Sequence, residues 1–85
     1  NDNFVGRTME RFKHFKGAII KRGARVGVHA TVLPGKTIGE DALIAAGALV
    51  TTDAPDRKIV AGVPGKVFRD VPEEQLLDKQ DWKDD

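Results

Sequence analysis

From Ile20 onward a β-branched aliphatic residue returns at every sixth position: Ile20, Val26, Val32, Ile38, Ile44 and Val50. A surface helix repeats every 3.6 residues and a half-buried strand every 2, so neither explains the spacing. The fourth place after each marker reads Ala24, Ala30, Lys36, Ala42, Ala48 and Ala54, small everywhere except Lys36. The third place reads Gly23, His29, Gly35, Asp41, Gly47 and Asp53, all residue types that tolerate or favour a positive φ. Each hexad therefore predicts one short strand, one inward Ile or Val, and a tight corner with a small residue beside it. Stacked hexads of this kind bury a continuous aliphatic column, coil upon coil. Six hexads make two triangular coils between Ile20 and Pro55, and Asp53-Ala54-Pro55-Asp56 closes them because proline removes a ladder donor.

The flanks leave the six-residue beat. In residues 1–17, Val5, Met9 and Phe12 fall at helical spacing, which allows a short helix from Arg7 to Lys16 ended by Gly17; an ordered loop pinned by Phe4, Phe12 and Phe15 is the alternative. Either is a basic excursion carrying Arg7, Arg11, Lys13, His14 and Lys16. Residues 18–70 hold the coils and then Ile59 to Val67, where Gly62, Pro64 and Gly65 predict a strand, a bend and a second strand. Residues 71–85 begin as a helix, with Asp70 as N-cap and Pro72, Glu73 and Glu74 in the first turn. Leu76 and Leu77 are then placed to cover the open end of the column.

At 85 residues the chain makes one domain, and a two-coil prism is short for a repeat array, so a fragment with further coils or neighbouring subunits is expected. The absence of cysteine excludes disulfides and a thiol nucleophile. The longest apolar run, Ala42 to Val50, is too short to cross a bilayer, which favours a cytoplasmic protein without a membrane partner. Net charge is +1 but unevenly spread: residues 1–36 hold eight Lys or Arg against Asp2 and Glu10, and residues 70–85 hold seven acids against Lys79 and Lys83. The basic half suits an anionic ligand such as a phosphate, or is simply a solvated surface. Nucleic acid is disfavoured, since no basic-aromatic interleave accompanies the charge.

Three segments resemble the C-terminal half of hexapeptide-repeat acyltransferases: the hexads Val26-Gly27 and Ile38-Gly39, the run Ile44-Ala45-Ala46-Gly47-Ala48-Leu49-Val50, and Ile59-Val60-Ala61-Gly62-Val63-Pro64-Gly65-Lys66-Val67. The last resembles the family's closing signature, with Gly65 in place of its usual alanine. The resemblance implies an all-β fold, a left-handed parallel β-helix assembled as a homotrimer, and acetyl transfer from acetyl-CoA bound between subunits, with no metal. Asn1-Asp2-Asn3 before a basic excursion is similar to the sugar-nucleotide N-acetyltransferases, which acylate the amine of a nucleotide-linked sugar. By that similarity Asn1 is the candidate for orienting the amine, or Asn3 in a shifted register.

Acyl transfer needs a nucleophile set against the thioester, a route for its proton and a donor to the developing oxyanion. An amine acceptor needs less help than an alcohol, for which a histidine base is the usual supply. His14 and His29 are the only histidines. His29 occupies a corner place, so a turn role accounts for it as readily as catalysis; His14 has cationic neighbours that favour its neutral form. The small residues Ala45, Ala46 and Gly47 would let a pantetheine arm approach the backbone, and Lys58, Lys66 and Arg69 could meet CoA phosphates. Rival readings are an O-acetyltransferase with a histidine base, a carbonic anhydrase built on similar coils, and a non-enzymatic oligomerisation module. The carbonic anhydrase reading would need three metal-binding histidines where two are present.

Overall fold

The computed structural model describes residues 4–7, 12–15 and 17–76. Its centre is a three-sided prism. Strands β3 (Ala18–Lys21), β4 (Arg25–Gly27) and β5 (Thr31–Val32) form the first coil, and β6 (Thr37–Ile38), β7 (Leu43–Ile44) and β8 (Leu49–Val50) the second. Parallel pairs Ile20↔Ile38, Val26↔Ile44 and Val32↔Val50 set the coil at 18 residues, three hexads. Backbone bonds keep the same step on every side: Ile19 N to Lys36 O at 2.9 Å, Arg25 N to Ala42 O at 2.9 Å, and Thr31 N to Ala48 O at 2.8 Å.

All six markers are buried and lie in one cluster with Ala18, Ala24, Ala42, Ala48, Ala54 and Val60. Strand alternation makes that possible: in β5 to β8 one residue of each pair points into the column and the other out, and in β3 Ala18 and Ile20 point in with Ile19 between them turned away. Alanine beside every hexad corner but that at Gly35, where Lys36 stands, keeps the column narrow enough for the three sides to close on it. The corner places behave as the sequence predicts at Gly23, His29, Gly35, Asp41 and Gly47, with φ between 57° and 84°.

Asp53 departs from the pattern. Between Val50 and Ala54 the chain drops two residues from the corner, so that Ile38 bridges Ala54, and β9 (Lys58–Ala61) pairs with β7 sixteen residues after it, Ile44 against Val60. The left-handed corner then falls at Arg57, with φ 59°, three residues after Ala54. The column thus continues into a partial third coil, past the Pro55 end expected from the hexads. Asp53 instead uses its carboxylate to accept the Thr37 N–H at 2.9 Å, and Asp56 accepts Glu40 N–H at 2.8 Å. The Asp53 oxygen takes the Thr37 N–H that the regular step of the coil would give to the Ala54 carbonyl, which accepts Gly39 N–H instead.

The flanks supply antiparallel strands. β1 (Phe4–Arg7) pairs with β4 and β2 (Phe12–Phe15) pairs with β3, so the helix allowed over Arg7 to Lys16 is replaced in the described residues by strand. The unbonded edges of the first coil offer a ladder that local helical spacing does not reveal. At the other end β10 (Lys66–Asp70) turns back along β9, as the Gly62-Pro64-Gly65 bend predicts, giving the sheet order β1-β4-β7-β9-β10. Where a C-terminal helix is expected, the described residues 71–76 hold a 3-10 turn over Glu73–Gln75, with Leu76 extended after it. Asp70 does not cap it, because its backbone belongs to β10 and its carboxylate is held by Lys58. Leu76 lies outside the core cluster and lines an outer hollow with Val71, so it does not close the column; Leu77 and Trp82 lie outside the described residues. Gln75 folds back over the sheet, accepting a bond from the Arg25 guanidinium at 3.1 Å.

Candidate functional site

One edge of the prism collects most of the sequence candidates. His29 and Gly47 are the left-handed corners that follow β4 and β7, three residues after Val26 and Ile44, so they stack along that edge one coil apart; Gly62, two residues after Val60, opens the bend from β9 into β10. His29 is exposed there, eighteen residues before Gly47, and the Gly47 N–H bonds to Val28 O at 3.1 Å. The corner Ala45-Ala46-Gly47 rests on the bend that joins β9 to β10: Ala45 N–H donates to Val60 O at 2.9 Å, Leu49 N–H to Gly62 O at 3.0 Å, and Gly65 N–H to Leu49 O at 2.7 Å. Lys66 stands opposite Ala61 in the hairpin, next to this bend, and is exposed.

Close backbone approach is built into the same edge. A Cβ on Gly27 would lie 2.5 Å from Ala46 N and 2.9 Å from Ala45 C, so glycine lets the second coil's corner settle against the first. The amides of Ala45, Gly47 and Ala48 are all bonded within the prism. The corner itself is open, since Ala46 and Gly47 are exposed and carry almost no side chain.

The other candidates separate from this edge. Lys58 is at the far end of the four-residue β9 and forms an ion pair with Asp70, its register partner on β10. The ammonium beside it, first through the hydrogen bond and then through charge, holds the Asp70 carboxyl below the usual carboxylate range. Lys58 is therefore committed, and the hollow of ≈ 320 Å³ that it lines with Arg57, Asp70, Val71, Glu73 and Leu76 is of mixed charge. Arg69 lies opposite Ile59, exposed, with its guanidinium carbon 5.7 Å from the Phe68 ring centre. His14 is on β2 opposite Ile19, on a different side of the prism, and Asn1 lies outside the described residues. Among the described residues no group of three His, Cys, Asp or Glu side chains could hold a metal, and no helix is long and apolar enough to cross a membrane.

The residue that pattern reading passed over is Phe68. Lys66–Asp70 has neither alternation nor helical spacing, and every one of its five residues is exposed. Phe68 retains 69% of its surface.

With this geometry in hand, the chain is found to be similar to acetyltransferases. It is 40% identical over 62 residues to a 2,3,4,5-tetrahydropyridine-2,6-dicarboxylate N-acetyltransferase of Staphylococcus aureus strain JH9, a match spanning 73% of this chain and 26% of the relative. The solved structure of a Bacillus cereus protein assigned as an acetyltransferase superposes with TM-score 0.66 at 36% identity, over 73% of this chain and 37% of that one. A galactoside acetyltransferase solved in complex with coenzyme A gives 0.64 at 33% identity, over 80% and 34%. The prism is homologous to hexapeptide-repeat acetyltransferases. Such acetyltransferases are left-handed β-helices, in keeping with the parallel coils and the six-residue beat seen here. No family model matches the chain. The chain spans about a quarter of the length of the curated relatives it matches, 26%.

Proposed function

We propose that this chain forms the acetyl-CoA-binding part of an acetyltransferase that acylates an amine. The observation that carries the reading is the corner edge, where a small-residue corner, a free-standing lysine and an exposed histidine line up on a scaffold homologous to acetyltransferases, one of them solved with coenzyme A. The pantetheine arm would run past Ala45, Ala46 and Gly47, and Lys66 and Arg69 would meet phosphate oxygens as charge-assisted donors. Lys58, tied to Asp70, is left out of this set.

In the reaction the acceptor nitrogen attacks the thioester carbonyl, forming a C–N bond and a tetrahedral oxyanion. Collapse breaks the C–S bond, releases CoA as thiol or thiolate, and leaves a proton to be removed from nitrogen. We assign that proton to His29, whose place one coil before Gly47 puts an imidazole on the edge along which the arm would run. His29→Asn is the informative variant, since asparagine also tolerates the left-handed backbone. A roughly 10²-fold or greater loss in kcat with unchanged melting is expected; unchanged turnover would return His29 to a turn role.

Two anionic acceptors fit. The Asn1-Asp2-Asn3 similarity supports the amine of a sugar nucleotide, with Asn1 orienting it, and the name of the Staphylococcus aureus relatives supports a cyclic dicarboxylate. The family resemblance also brings a homotrimer, with CoA held between neighbouring subunits. Supplying acetyl-CoA with each acceptor and following thiol release decides between them. Release with the sugar nucleotide alone upholds the first acceptor, release with the dicarboxylate alone replaces it, and release with neither removes the amine-acceptor reading. Charge reversal, Lys66→Glu, should weaken CoA binding by about tenfold, the effect of losing one charged hydrogen bond; full affinity would take Lys66 out of the site.

A further inference from the structure

Phe68 is the large aromatic that the described fold leaves most open, and its placement is specific. The hairpin register slips between Val67 and Arg69, so that Phe68 is the extra residue of a bulge on a strand that is the outermost of its sheet among the described residues. A bulge re-aims the side chain it carries. Arg69 sits over the ring at 5.7 Å, and Lys66 is two residues away. The strand therefore presents a flat apolar surface bracketed by two cations.

That combination recognises a purine carrying phosphates. An aromatic ring stacks on any base face, a guanidinium adds to the stack, and ammonium and guanidinium groups take the phosphate oxygens. The order along the chain also fits one ligand. The clear corner at Ala45-Ala46-Gly47 suits a thin arm, Lys66 follows at the bend, and Phe68 and Arg69 come about 7 Å further along the strand at ~3.3 Å per residue. CoA runs in the same order: pantetheine, pyrophosphate, then an adenosine that bears a 3′-phosphate. We infer that the Phe68 ring is the platform for the adenine of CoA, with Arg69 serving both the stack and the nearby phosphate. This rests on the acetyl-CoA reading above.

Calorimetry with CoA and with 4′-phosphopantetheine, which lacks the adenosine, tests it on the intact protein. Phe68→Leu keeps apolar area but loses the flat face, and should weaken CoA by about tenfold while leaving phosphopantetheine unchanged. Phe68→Trp should retain CoA affinity. Equal affinity of Phe68→Leu and the parent for CoA overturns the inference, and so does an equal loss for both ligands. A fall in assembly mass by light scattering with both ligands weakened would assign the ring to subunit contact instead and also overturns it. Failure of the parent protein to bind either ligand would bring down the acetyl-CoA reading itself, a result distinct from these.

Discussion

Gly27 and Gly39 each stand where one coil admits another. A side chain on Gly27 would meet the Ala46 backbone, and one on Gly39 would lie 2.3 Å from the Asp56 carboxylate and 2.6 Å from its amide. Neither neighbour is the loose end of a flexible chain, so the coils themselves must shift. Gly27→Ala should therefore cost about 1–3 kcal/mol, the usual penalty for overpacking, read as a lower denaturant midpoint at unchanged slope. A neutral result would show that the corner is not seated as closely as described. Both glycines were legible as members of the hexads, yet the reason for them was not, because the contact is with a residue 17 to 19 positions away. His29 illustrates the reverse: its corner place was legible from the beat, whereas its position on the edge shared by Gly47 required the coil to be closed.

Among the elements, the β9–β10 hairpin is fastened by backbone pairing and by the Lys58–Asp70 clasp, and only the clasp titrates. Asp70 has a lowered pKa in the fold, so its stabilisation is present above the unfolded carboxylate value of about 4 and is lost as pH falls through the lower folded value. Asp70→Asn should be less stable than the parent at neutral pH, and the gap should close on acidification below about pH 4. Because the pair is exposed, salt should shrink the gap as well. A gap that persists at low pH would assign the difference to something other than the ion pair. The hairpin could be read from Gly62, Pro64 and Gly65, but its clasp could not, since Asp70 equally resembles a helix cap until the strand claims it. β1 and β2 escaped for a similar reason: four-residue strands carry little periodicity, and what forms them is an open edge elsewhere in the chain.

For the whole molecule, the aliphatic column both holds the coils together and sets the edge that carries the candidate site. Ile44 is fully buried in the middle coil and touches both layers, so Ile44→Ala should cost about 2–5 kcal/mol, whereas Leu43→Ala, on the outward neighbour, should cost clearly less. Equal costs would contradict the inward-outward alternation. The prism was readable because three phased constraints repeat over six hexads; the shortened third coil was not, since Asp53 keeps the beat in sequence and only the missing apolar marker at Asp56 hints at the two lost residues. The acceptor half of the reaction was least legible, because the candidate for it, Asn1, belongs to no repeat. The central claim is that the corner edge binds CoA, and titration of the intact protein with CoA in a calorimeter tests it most directly. Saturable binding that is weakened by Lys66→Glu is the predicted result; no heat of binding at millimolar CoA would contradict the account.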